Sequence, residues 1–204
     1  MNIAFYPFWA ARTLLSLIQV ILITTLTCLI YTQTEWIGYA MLLLCFYLLA
    51  HVAAKLIFPM MMKRCTFSKL LIGIPLTKAL LLIGIASSLP HLRLHSTPIF
   101  ISAVVLSVAI RWEALVLEEL QPGLLEGEDI SKASSLLSFS NYTVAGIGLI
   151  MTIIAILYLG QTHVLWAAVA LSLATLALIL TVYHLTHRLS STSISLDTRR
   201  PLHK

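Results

Sequence analysis

Leu70–Leu89, LLIGIPLTKALLLIGIASSL, is twenty residues long and carries one charge, Lys78, near its middle. A helix of that length rises about 30 Å, the thickness of a bilayer's hydrocarbon core. Lipid offers backbone N–H and C=O groups no partners, so a run like this satisfies them within itself and is helical. Five more runs of the same kind flank it: Leu14–Tyr31, Ile37–Ile57, Pro98–Leu117, Ser138–Leu159 and Val164–Leu185. The composition agrees, with 59% hydrophobic and only 10% charged residues, too little charge for a water-soluble domain of 204 residues. The expectation is an all-α, polytopic membrane protein of six transmembrane helices. Residues 1–189 would form the bundle and residues 190–204 a polar, basic cytoplasmic tail.

Charge falls between the runs and orients them. With the N-terminus inside, Arg12, Lys55, Lys63, Arg64, Lys69, Lys132, Arg188, Arg199, Arg200 and Lys204 lie on or near the cytoplasmic face. Arg93 is then the only Lys or Arg on the opposite face. By the positive-inside rule both termini are cytoplasmic. The pI of about 9.3 therefore needs no nucleic acid to explain it. Turn and polar residues punctuate at Tyr31–Trp36, Pro59–Ser68, Pro90–Thr97, Glu118–Lys132 and Gly160–His163. The shortest links imply tight antiparallel hairpins.

The first run has spanning length and no small-x-small cleavage site, which predicts a membrane helix and not a cleaved signal. Cys28 and Cys45 fall inside runs and Cys65 in a loop, so no disulfide framework is expected. Asn141-Tyr142-Thr143 matches a glycosylation pattern but sits inside the fifth run. There is no Gly-rich phosphate loop, metal-ligand spacing or nucleophile motif. His184 and His187 lack further ligands, so neither enzyme chemistry, nor a metal, nor a cofactor is expected.

Two segments carry a resemblance. In Pro59–Leu82, PMMMKRCTFSKLLIGIPLTKALLL, residues Arg64, Lys69, Leu70, Leu71, Lys78, Ala79 and Leu80 follow a pattern of the type G-x-L-A-D-R-x-D-R-R-R-L-L-I with a later basic-Ala-Leu run. In Ala114–Gly148, Glu119-Leu120, Ala133, Leu136, Leu137 and Gly148 follow a run from A-L-x-P-E-L-V-P into A-N-A-L-L and a glycine stretch. Together they resemble the N-terminal half of a major facilitator superfamily transporter, in the drug- and siderophore-exporting branch. The chain departs from that pattern in Pro59, where the family has glycine, and in Lys63, Thr66 and Pro75, where it has acidic residues.

The resemblance implies a 3+3 inverted repeat in a bacterial inner membrane. It also implies a second six-helix half, as a homodimer or a separate chain. The function it implies is transport of a small organic molecule, with protons in exchange. Arg64, Lys69 and Lys78 would belong to a gating loop and charge relay. The missing acidic partners favour an alternative: a non-transporting subunit or degenerate remnant that binds another membrane protein.

The polar residues inside the runs admit two readings each. Gln19 and Asn141 could line a substrate path or bond between helices, and Arg111 and Glu113 could line that path or anchor the fourth run at the inner membrane surface. Lys78 costs roughly 2.5–3.5 kcal/mol at the centre of a span, so it either serves a site or snorkels to the surface and pairs there, with Glu113 as the candidate partner. Arg111 and Glu113, two residues apart, must face different sides of one helix. His51 is either a proton shuttle or a structural hydrogen-bonding group. Trp9, Trp36, Trp112 and Trp166 lie near run ends, as an aromatic belt would.

Overall fold

The computed structural model describes residues 5–64, 66–92, 96–124 and 129–197, with side chains described over 5–64, 66–88, 99–121 and 135–184. Cys65, Arg93, His95, Glu126, Glu128 and 198–204 fall outside the described residues, as do the side chains of His91, Asp129, Lys132, His187 and Arg188. Six helices account for the described chain: α1 (Phe5–Thr34), α2 (Ile37–Arg64), α3 (Phe67–Leu92), α4 (Ser96–Leu124), α5 (Asp129–Leu159) and α6 (Gln161–Asp197). Each is long and apolar enough to cross a membrane. The chain is an all-helical, multi-pass membrane protein.

Every helix outruns the apolar stretch that announced it. α2 passes through Pro59 and ends at Arg64, and α3 begins at Phe67, so helix takes up most of the expected Pro59–Ser68 turn. A proline removes one backbone N–H, which a membrane helix tolerates when its neighbours hold it straight. α4 likewise runs on through the charged residues Glu118 and Glu119 to Leu124. α6 continues past Leu185 to Asp197. Hydropathy marks where a helix meets lipid, whereas backbone hydrogen bonding carries it further into the interface.

The two shortest links end their helices in the same way. Glu35 (φ 51°) and Gly160 (φ 82°) adopt the left-handed conformation. Their N–H groups donate to Tyr31 O at 2.8 Å and Ile156 O at 3.0 Å. Each bond satisfies a carbonyl that the helix end leaves free, and each residue turns the chain back sharply.

α1 is the hub. Phe8, Ala11, Leu15, Ile18, Leu22, Thr25 and Leu29 are buried along it, at alternating three- and four-residue spacing. That spacing keeps one seam facing the neighbouring helices. α1 packs against α6, α5, α4 and α2, while α4 packs against α3 and α2, and α3 against α6. Gly148 lets α5 approach closely: a Cβ there would lie 2.8 Å from Leu17 Cδ1. α2 and α5 lie at the outside and expose large apolar side chains such as Leu48, Leu56, Phe139 and Leu157. In water such faces would be a liability; against acyl chains they are the expected surface.

Side-chain contacts set the relative directions. Arg12 meets Glu118 and Thr13 meets Ser140, so the start of α1, the end of α4 and the start of α5 share one end of the bundle. At the other end Gln161 Nε2 donates to Thr32 Oγ1 at 3.4 Å and reaches Cys28 Sγ at 3.5 Å, tying the start of α6 to the end of α1.

Candidate functional site

α4 carries charge on two faces, and the two do different things. Glu113 turns towards α3, where its carboxylate lies 2.5 Å from Lys78 Nζ. Both side chains are shut in, at 0% and 1% exposure. Neither has another hydrogen-bonding partner among the described residues. Lys78 is the eleventh residue after the start of α3, and Glu113 the eleventh before the end of α4. Each is therefore about 16 Å from that end of its helix, well inside its apolar span. Lys78 does not snorkel to the surface. A carboxylate at its own depth on the adjacent antiparallel helix removes the reason to do so.

Arg111 takes the opposite face. Its guanidinium reaches along α4 to Glu118, with Nη1 3.4 Å from Oε1. Residues seven apart share a helix face, which makes this contact possible. The same Oε1 lies 3.6 Å from Arg12 Nη2, and Arg12 Nη1 donates to Gln121 Oε1 at 3.3 Å. One carboxylate is thus shared by two guanidiniums from two helices. Arg111 also interacts electrostatically with Tyr47 and His51 on α2. Tyr47 accepts a hydrogen bond from Gln19 Nε2 of α1. α1, α2 and α4 therefore bring a polar face together within an apolar bundle. It is partly open, with Arg12, Arg111 and Glu118 at 20%, 14% and 39% side-chain exposure.

The expected site residues separate accordingly. Gln19 and Arg111 belong to this polar face. Glu113 lies behind it with Lys78. Asn141 is half-buried on α5, with Oδ1 unpartnered. Arg64 is exposed at the end of α2, and Lys69 is half-buried near the start of α3. Trp112 does not sit in an interfacial belt: it lies in mid-α4, half-buried against the core.

Arg12, Tyr47, Glu118 and Gln121 escaped the sequence reading as site residues. The Arg111–Glu118 interval was a usable signal, because a seven-residue step on a helix aligns two charges. Away from this face, a cavity of about 440 Å³ opens between α3 and α4 beside Leu70, Gly73, Ile74, Thr77 and Trp112, and its lining is almost wholly apolar. Among the described residues no group of three or more His, Cys, Asp or Glu could hold a metal ion.

No family model matches this chain, and neither does any curated protein or solved structure.

Proposed function

We propose that this chain is a membrane transport protein, related to one six-helix half of the major facilitator exporters, that moves a small organic molecule in exchange for protons. The observation that carries the reading is the polar face built by Gln19, Tyr47, Arg12, Arg111, Glu118 and Gln121. Charged and amide side chains within membrane spans are costly and mark pathways when they face an opening. Most of the packing pattern agrees with an inverted repeat: exchanging α1 with α4, α2 with α5 and α3 with α6 turns the pairs α1·α6 and α1·α5 into α4·α3 and α4·α2, and returns α1·α4 and α3·α6 unchanged, whereas α1·α2 and α5·α6 have no counterpart of similar extent. With three helices per unit the second must run inverted, as in many transporters.

Arg12, Lys55, Lys63, Arg64 and Lys69 all lie towards the end where α1 begins, and by the positive-inside rule this supports a cytoplasmic side for that end, in what we take to be a bacterial inner membrane. Gln19, Arg111 and Asn141 are assigned to the path, Arg64 and Lys69 to gating contacts, and the Lys78–Glu113 pair to holding α3 against α4. A second six-helix half, from another copy or another chain, would complete the transporter.

Proteoliposomes with an imposed proton gradient test this, using a panel of labelled organic cations and anions that includes ethidium and salicylate. Saturable, gradient-driven flux of at least one member, lost in Gln19→Ala and Arg111→Ala, is expected. Absence of protein-dependent flux across the panel overturns the reading. The outward apolar faces of α2 and α5 favour the non-transporting-subunit alternative in that event, and stable co-purification of an unrelated membrane protein would support it.

A further inference from the structure

Arg12 and Arg111 present more donors and more positive charge than their surroundings absorb. Two guanidiniums offer about ten N–H donors and no acceptor. Their described partners are one carboxylate oxygen of Glu118 and the amide oxygen of Gln121. Arg111 Nε is buried without a partner. Their contacts, at 3.3–3.6 Å, are also loose, since charge-assisted N–H···O⁻ bonds close to about 2.7–2.9 Å. Glu118 therefore bridges the guanidiniums without saturating either. Lys55 adds positive charge felt at His51 beside them, whereas Glu119 is exposed and forms no ion pair among the described residues.

We infer that this cluster is an oxyanion-binding site, taking a phosphate or carboxylate group between Arg12 and Arg111. Planar guanidiniums match such groups bidentately, and a partly desolvated setting strengthens the attraction. The depth suits an amphiphile. Arg12 is seven residues into α1 and Glu118 six before the end of α4, so both lie about 10 Å inside the helix ends, and Arg111, rooted about 20 Å from the end of α4, reaches back along the helix to Glu118. A lipid headgroup can reach it from the leaflet and a free organic anion from the aqueous side. Glu118 acts as a placeholder for the ligand's charge and moves aside when the oxyanion arrives. The inference deepens the transport reading by naming the ligand's chemistry, and binding is measured without flux. A chain that binds and does not transport defeats only the transport reading; one that transports and does not bind defeats only this one.

The test uses the full chain purified in a neutral detergent. Phosphatidylglycerol, phosphatidylcholine and glycerol 3-phosphate are titrated separately, with bound lipid read by native mass spectrometry and glycerol 3-phosphate by calorimetry. At least tenfold preference for phosphatidylglycerol over phosphatidylcholine assigns the oxyanion to a lipid; saturable binding of glycerol 3-phosphate assigns it to a free anion. Either result should weaken at least tenfold in Arg12→Gln and Arg111→Gln, and stay unchanged in Lys63→Gln. Glu118→Gln removes the internal competitor and should tighten binding several-fold, which a structural role for the cluster does not predict; it also serves if the arginine variants fail to fold. Equal binding of both lipids with no binding of glycerol 3-phosphate overturns the inference. So does anion binding that survives both arginine substitutions, or that weakens in Glu118→Gln.

Discussion

Lys78 and Glu113 illustrate how much a residue's meaning depends on its neighbour. Each alone is a charge in the middle of a membrane helix, a costly placement. Together they neutralise each other at 2.5 Å with no water-facing atom. Such a pair adds little net stability, because desolvation consumes most of the attraction, yet breaking it strands the survivor. Lys78→Met or Glu113→Leu should therefore each destabilise the purified protein by about 3–5 kcal/mol. The double variant should recover most of that loss, since two apolar side chains fill the same space. Denaturant titration of the four proteins in one detergent gives the coupling energy, and purely additive losses would show that the charges are independent. The pairing itself was legible as a possibility from two lone charges on adjacent helices. The central place of Lys78 was legible as well, whereas the depth of Glu113 was not, because α4 continues seven residues beyond its apolar run.

At the scale of the helix, close approach and tight reversal are local properties with opposite responses to substitution. A Cβ on Gly148 crowds the far end of the Leu17 side chain, which can swing away, and meets Val20 Cγ1 at an ordinary 3.9 Å. Gly148→Ala should accordingly be nearly neutral, while Gly148→Ile forces α1 and α5 apart and should cost about 1–3 kcal/mol. The two left-handed helix ends make a matched pair. Gly160→Ala places a Cβ in a conformation that disfavours it and should lower stability by about 1–2 kcal/mol, whereas Glu35→Gly relieves the same strain and should raise stability. Thermal unfolding of these variants in detergent, read by near-ultraviolet circular dichroism, checks all four signs. Gly160 announced its turn in the sequence, being a glycine between two apolar runs. Glu35 did not: an acidic residue seldom marks a left-handed helix end, and Trp36 and Tyr39 pack edge-to-face just beyond it, 5.2 Å between ring centroids.

For the molecule as a whole, alternating helices and clustered lysines and arginines predict a topology that can be mapped directly. In a chain whose native cysteines are replaced, a cysteine at Lys63 should be labelled by a membrane-impermeant maleimide only from the cytoplasmic side. One at Glu35 should react only from the opposite side, and extraction should require detergent. Labelling of both from the same side would refute the arrangement of α1 and α2. The polar face of α1, α2 and α4 was only half legible. Gln19 and Arg111 stood out as polar interruptions, whereas Arg12 read as an orientation charge and Glu118 as part of a solvated turn. Neither role is visible until α4 is followed to Leu124 and the start of α1 is laid beside it.

What the amino-acid order determined by itself is the solvent and the secondary structure: six apolar runs have no stable state in lipid other than helices, because their backbone groups must bond internally. The direction of charge bias followed from the same linear pattern. The tertiary structure alone decided which charges meet. Lys78 with Glu113, and Arg12 with Arg111 and Glu118, join residues 35 to 106 positions apart. Such contacts depend on which faces of packed helices come together, and one-dimensional hydropathy carries no record of rotation about a helix axis.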